Sequence, residues 1–214
     1  MSRAVLFCNG EIHDLDYHRR LLRDGDLIIA VDGGGRYCME MGVVPDVALG
    51  DFDSLPRDIL VSYEPGKTEC ISFPADKDYI DMALGIEEAR KRGRKEILIL
   101  GAFGGRRVDM FLGNLLALAA YDGGGEIVMK NEWSEARFLK GRSAVTLRGA
   151  ACDYVSLLPL SETVKTGHSE GLKYPLEGLS FHRGETRSIS NELTGDEASL
   201  KLTEGEAILI LQKR

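Results

Sequence analysis

Residues 79–102 read YIDMALGIEEARKRGRKEILILGA, and this stretch decides the fold. Its first part carries apolar residues at helical spacing and stops at Gly93, a residue suited to the left-handed position that ends a helix. Its second part, EILILGA (96–102), is a continuous apolar run of the kind found in strands buried on both faces of a parallel sheet. A helix feeding a buried strand is one step of a βαβ repeat. The same rhythm continues with VDMFLGNLLALAAYD (108–122) as helix, the glycines at 123–125 as its stop, and EIVMK (126–130) as strand. It also runs backwards, through AVLFC (4–8), a helix-like segment around residues 14–23, and DLIIAVD (26–32) entering a glycine-rich turn. Residues 1–131 are therefore expected to form a three-layer α/β domain with a mostly parallel sheet.

After about residue 132 helical periodicity vanishes. Short alternating segments appear between turns: SAVTLRG, CDYVSLLPL, TVKTG, TRSIS, ASLKL and AILIL. This texture predicts a second, all-β domain over 138–214, a small sandwich or barrel. Trp133, near the junction, reads as a packing anchor, and ARKRGRK (89–95) as the exposed end of a helix.

The 34 acidic and 27 basic residues leave a net charge of -7, which argues against broad contact with nucleic acid or an anionic membrane. Small anionic ligands remain open, because they need only a local pocket. Glycine is in surplus, with 25 among 214 residues against six prolines, where about 7% and 5% are usual; that balance suggests tight turns, not linker. Cys8, Cys38, Cys70 and Cys152 form no CxxC pair, so neither a zinc knuckle nor a disulfide framework is supported. No apolar run approaches the ~20 residues that span a bilayer, and the start MSRAVLFCNGEIHD turns polar too early for a signal peptide. A cytoplasmic protein with reduced thiols is expected.

In an open parallel sheet, ligands bind beyond the carboxyl ends of the strands, so the residues just after each apolar run carry the chemistry. After DLIIAV comes Asp32-Gly33-Gly34-Gly35, where glycines let the backbone approach a ligand or simply turn. After VAL comes GDFDSLP, in which Asp51 and Asp53 flank Phe52. Two carboxylates so close need a cation or a proton, and Mg²⁺ suits an all-oxygen donor set. Capping of a helix at Leu55-Pro56 by Asp53 or Ser54 is the alternative. After ECISF, Asp78 and Asp81 stand three apart, spaced to share one helix face, and Lys77 can reach anionic oxygens. After EILIL, GAFGGRRVDMFLGN (101–114) joins a glycine turn to Arg106, Arg107 and Asp109 at a helix start, a plausible phosphate cradle although it is neither a P-loop nor GxGxxG.

Together, VDGGGR, PDVALGDFDSL, DKDYIDMAL and GAFGGRRVDMFLGNLLAL, followed by VSLLPLSETVKT, GLKYPL and SISNEL, resemble the thiamine pyrophosphokinase family over nearly the whole chain. GDFDS is the most specific element. The resemblance implies a reaction, transfer of pyrophosphate from ATP to the hydroxyl of thiamine with release of AMP. It also implies a homodimer with active sites at the subunit interface, and partners limited to thiamine and ATP, with no nucleic acid and no membrane. Carried onto this chain, it implies that Asp51, Asp53 and Asp81 bind Mg²⁺ with Asp32, Gly33, Gly34 and Lys77 nearby. Arg107 and Asp109 match the family's arginine and aspartate after the glycine turn, and Asn114 its helix asparagine. Ser190 and Asn191 match the pair that meets the thiamine pyrimidine. The chain departs from the family in three places. GGRRVD holds one residue more than GGRxD, which leaves Arg106 and Arg107 as alternatives; Met110 stands where His or Gln is usual; and Tyr174 stands where tryptophan is common, as a weaker platform for a cationic ring. Two other readings use the same residues: a pyrophosphokinase for another heterocyclic alcohol such as a hydroxymethylpterin, and a non-catalytic nucleotide or thiamine sensor.

Overall fold

A computed structural model describes residues 3–52, 59, 61, 63, 66–73, 78–120 and 125–214. The chain divides into two compact units, Met1–Glu132 and Trp133–Arg214. The first holds six strands: β1 (Ala4–Phe7), β2 (Leu27–Val31), β3 (Val47–Gly50), β4 (Glu69–Ser72), β5 (Glu96–Leu100) and β6 (Glu126–Lys130). They lie in the order β6-β5-β1-β2-β3-β4, every pairing parallel. From β1 the chain therefore steps outward to β4, then returns to the other side of β1 to lay down β5 and β6. That reversal puts the switch point of the sheet between the ends of β1 and β5, where a doubly wound sheet leaves a crevice.

Among the described residues the sheet is flanked by helices α1 (Leu15–Arg20), α2 (Gly35–Glu40), α3 (Asp81–Lys91) and α4 (Val108–Ala119). On one face, Tyr37 and Cys38 of α2 pack with Val5, Phe7, Ile28, Ala30 and Leu100 in one core cluster. Alternate residues face the other way, and there α3 meets the sheet through Gly85, where a Cβ would stand 2.9 Å from side-chain carbons of Leu6 and Val31. Gly93 adopts φ 74° and ends α3 as expected, with its amide on Arg90 O at 2.8 Å and the Arg94 amide on Ala89 O at 3.0 Å. The basic helix end is ion-paired at the surface, with Arg92 bridging Glu88 at 2.7 Å and Glu69 at 2.6 Å. Asp78 precedes the helix, which starts at Asp81 with Ile80 as N-cap, so the two aspartates do not share a helix face as their spacing suggested. The proposed capping by Asp53 or Ser54, and Gly123 and Gly124, lie outside the described residues.

The second unit is wholly antiparallel. Its strands are β7 (Ser134–Lys140), β8 (Ala144–Arg148), β9 (Tyr154–Pro159), β10 (Thr163–Glu170), β11 (Ser180–His182), β12 (Asn191–Glu192), β13 (Glu197–Glu204) and β14 (Glu206–Gln212). One layer runs β12-β9-β14-β7 and the other β11-β10-β13-β8. Between them lies a core with Leu157, Val164, Phe181, Leu202 and Leu209 all at most 1% exposed. This is a β-sandwich, and with the α/β unit it meets the fold class expected from sequence. Two segments differ from their reading. SEARFLK was not anticipated as a strand, yet β7 pairs along seven residues with β14. TRSIS (186–190) is a turn, because Ser190 takes a left-handed φ of 61° and Ser188 ties in by its hydroxyl on Leu157 O at 2.6 Å. Trp133 is 56% exposed and so does not serve as a buried anchor. Among the described residues no helix is long and apolar enough to cross a membrane.

Candidate functional site

At the switch point of the parallel sheet the chain opens a cavity of about 400 Å³. Its floor is where the loops after β1 and β5 touch: the Gly10 amide donates to Gly101 O at 2.6 Å. Gly101 has φ 65°, and a Cβ on Gly10 would lie 3.0 Å from the Gly101 carbonyl carbon. Only glycine fits that approach. Asp32, Asp81, Arg107 and Asn114 all line this cavity, although 49 residues separate the two aspartates in sequence.

Asp32 follows β2 directly and adopts φ 48°, an unusual conformation for a residue with a side chain and one that clusters at functional sites. Asn9, after β1, holds its carboxylate by donating from Nδ2 to Oδ2 at 3.1 Å. Both Asp32 and Asp81 act on the buried Cys8 thiol: burial first, then the Asp81 and Asp32 charges, push it well above the ordinary thiol range. Cys8 is thus a neutral wall of the cavity and not a nucleophile. Gly33 and Gly34 have a packing reason for being glycine. A Cβ on Gly33 would meet the side chain of Asn9, and one on Gly34 the carbonyl of Phe7.

Asp51 ends the β3 side of this region. A Cβ on Gly50 would stand 3.2 Å from the Asp32 Cα, so the two strand ends are in contact. Phe52 is left-handed at φ 57°. Asp51 Oδ1 is buried and accepts no hydrogen bond among the described residues, although Asp51 is not in the cavity wall. A buried carboxylate oxygen without a donor costs about 1–3 kcal/mol, which a hard cation would relieve. Asp53 and Lys77 lie outside the described residues. Among the described residues no three His, Cys, Asp or Glu side chains come together as a metal-holding group. The donor chemistry fits Mg²⁺, an ion that takes one or two carboxylates and keeps several waters.

Beyond β5, Arg107 and Asp109 pair with each other in a two-point contact, Nε to Oδ1 at 2.8 Å and Nη2 to Oδ2 at 2.5 Å. The hydrogen bond from Arg107 is the main cause that lowers the Asp109 pKa to about 2. A depressed carboxylate pKa means the pair is fully present above the ordinary range near 4 and is lost as pH falls through about 2. A carbon NMR titration is expected to place the Asp109 carboxyl midpoint near 2, and a midpoint near 4 would show that no pair exists in solution. Arg106, also in the cavity wall, has no ion pair among the described residues. Asn114, from α4, spans back to the turn after β5 by donating from Nδ2 to Ala102 O at 3.0 Å. Met110 is in the wall as well.

Ser190, Asn191 and Tyr174 form their own group in the β-sandwich unit. The Asn191 side chain is committed to backbone: Oδ1 accepts from the Tyr174 amide at 3.0 Å and the Glu192 amide at 2.8 Å, while Nδ2 donates to Tyr174 O at 2.7 Å. It is buried, and Tyr174 beside it is exposed. Lys173 stands 5.5 Å over the Tyr174 ring and pairs with Glu192 at 2.9 Å. Several cavity residues, Cys8, Asn9 and Arg36 among them, were given no role in the site from sequence. Asn9 follows the apolar run AVLFC, so the strand-end rule already pointed there.

Comparison with known proteins bears on the whole chain. A family model described as "Thiamin pyrophosphokinase, catalytic domain" matches residues 18–129. A second, "Thiamin pyrophosphokinase, vitamin B1 binding domain", matches residues 144–206. Thiamine pyrophosphokinase of Bacillus subtilis (strain 168) is 29% identical over 187 residues, 86% of this chain and 86% of its own length. The crystal structure of thiamine pyrophosphokinase from Bacillus subtilis superposes with a TM-score of 0.85 at 26% identity, covering 100% of this chain and 99% of that one. That of thiamin pyrophosphokinase from Geobacillus thermodenitrificans gives 0.82 at 29% identity, covering 100% and 98%.

Proposed function

Because the chain belongs to the thiamin pyrophosphokinase family, and so is an enzyme that converts thiamine to thiamine diphosphate with ATP as pyrophosphoryl donor, we propose that the ATP polyphosphate is bound and transferred at the cavity of the α/β unit. The observation that carries this reading is the convergence of Asp32, Asp81, Asn114 and Arg107 on one cavity at the switch point. Pyrophosphoryl transfer asks for alignment and charge neutralisation more than for covalent chemistry.

In this reading Asp51, Asp81 and Asp53 hold Mg²⁺, with Asp32 beside them, and Lys77 faces phosphate oxygens. When bound, Mg²⁺ neutralises the phosphate oxygens and fixes their orientation. Arg107, kept in place by Asp109, and the unpaired Arg106 offset charge at the mouth of the cavity. Asn114 holds the Ala102 carbonyl and so the glycine turn. In the β-sandwich unit, Ser190, Asn191 and Tyr174 meet thiamine, and the Asn191 amide also fixes the backbone that presents Tyr174.

The same reading has a homodimer with active sites at the subunit interface. Its support is a stripe on α4, where Val108, Leu112 and Leu116, four residues apart, are 65%, 52% and 61% exposed; such a face asks for cover. The four cysteines are free, which supports a reducing, cytoplasmic setting. An AMP-release assay with thiamine and a hydroxymethylpterin as acceptors tests the whole. Thiamine alone is expected to release AMP, chelation to stop it, and Mg²⁺ to restore it, with light scattering giving twice the chain mass. AMP release with the pterin at a rate equal to that with thiamine would overturn the acceptor, and activity that survives chelation would overturn the metal.

A further inference from the structure

Arg36 is a charged wall of the cavity that no carboxylate among the described residues accounts for. Its Nη2 donates to the Tyr37 hydroxyl at 2.7 Å and reaches the carbonyl oxygens of Asn9 and Gly10 at 3.4 Å. The guanidinium carbon stands 4.5 Å over the Tyr37 ring, and the buried Nε–H has no acceptor among the described residues. Three other arginines of this unit are held by carboxylates instead: Arg3 meets Asp26 at 2.6 Å, Arg92 meets Glu69 at 2.6 Å and Arg107 meets Asp109 at 2.5 Å. Among the described residues Arg36 has no such partner, even though Asp32 and Asp81 line the same cavity.

Neutral acceptors fix a guanidinium without cancelling its charge. A partly buried cation held this way pays for desolvation and keeps its full attraction for an anion. It is also preorganised. The Tyr37 hydroxyl that holds it donates to Gly10 O at 2.6 Å and accepts from the Ile12 amide at 3.2 Å, so its hydrogen-bonding capacity is used and its position set. Little side-chain freedom is left to lose when a ligand arrives.

We propose that Arg36 is a phosphate-contacting residue, which binds an anionic oxygen of the nucleotide polyphosphate from the β1 side of the cavity, opposite the arginines after β5. This rests on reading the cavity as the nucleotide site. The rival role is a strut that merely holds the Asn9–Gly10 loop. Calorimetric titration with α,β-methylene-ATP and Mg²⁺, on wild type, Arg36→Met and Arg36→Lys, separates them. The Met variant is expected to bind the analogue about 10- to 100-fold more weakly, the range for a lost charge-assisted hydrogen bond. Arg36→Lys should fall between the two, with a salt dependence of binding steeper than that of the Met variant. The KM for ATP should rise with the loss of affinity, while the KM for thiamine stays within about twofold. Unchanged analogue affinity in Arg36→Met overturns the proposal. So does a KM for thiamine that rises as much as that for ATP in both variants alike, with a lower melting temperature, because that is the signature of a strut. Failure of the cavity reading looks different: wild-type protein would not bind the analogue at all, and the proposal would fall with it.

Discussion

Asp51→Asn is expected to lower thiamine-dependent AMP release by about a thousandfold while leaving a folded protein that melts no lower than wild type. The loss corresponds to roughly 4 kcal/mol of transition-state stabilisation, the scale of one preorganised electrostatic contact to a transferring phosphoryl group. The stability side follows from the same atom. Oδ1 is buried and accepts no hydrogen bond among the described residues, so the ligand-free protein carries a desolvated acceptor. Replacing the half-buried carboxylate by a neutral amide removes a charge whose desolvated oxygen is compensated only when a cation is bound. The expected result is a melting temperature equal to or slightly above that of wild type, measured without Mg²⁺, with activity gone. A structural carboxylate gives the opposite pattern, a lower melting temperature with activity per folded molecule kept. Asp51→Asn with near wild-type activity would remove Asp51 from the metal-binding set.

The parallel half was legible because strands buried on both faces must be apolar throughout. DLIIAVD and EILILGA therefore stand out from any alternating pattern, and Gly93 punctuates the helix between them. The strand-end rule then pointed to the loops holding Asp32, Asp51 and Asp81. What it could not contain is the long-range meeting of those loops. Asp32 and Asp81 share a wall only because β1 lies between β2 and β5, an ordering that no local pattern encodes. Arg36 escaped notice for a related reason: its partners are the carbonyls of Asn9 and Gly10, 27 and 26 residues away. In the β unit, alternation predicted most strands but misread TRSIS, where side-chain capping of a turn mimics period two, and missed SEARFLK, whose charged residues mask its pairing with β14. The resemblance assigned Asn191 to substrate. Its three hydrogen bonds to backbone, invisible in SISNEL, also make it the fastener of the Tyr174 loop.

Gly34→Ala is expected to destabilise the α/β unit by about 3 kcal/mol, the upper part of the range for forcing a methyl group into a closed interior. In the 3₁₀ turn Asp32–Gly34, a Cβ at this position would overlap the Phe7 carbonyl oxygen and stand 3.0 Å from the Cys8 carbonyl carbon. Neither side has room to yield. Phe7 ends β1, which is hydrogen-bonded on one side to β2 and on the other to β5, so its carbonyl cannot move without disturbing both pairings. The turn cannot retreat either, because Gly35 is closed in by the hydroxyl of Tyr63 and by Ile59. Three kcal/mol corresponds to a fall of roughly 10 °C in melting temperature for a chain of this size. Gly113→Ala is the matched control. It lies within α4, where a Cβ meets only Ile80 Cδ1 at 3.9 Å, and alanine there should raise stability by a few tenths of a kcal/mol to about 1. If Gly34→Ala melts with wild type, the close approach of the turn to β1 is wrong, and so is the position of Asp32, two residues before it. If it melts low, thiamine-dependent activity measured below the transition should also fall, because relief of the overlap can come only from moving the turn that carries Asp32 into the cavity.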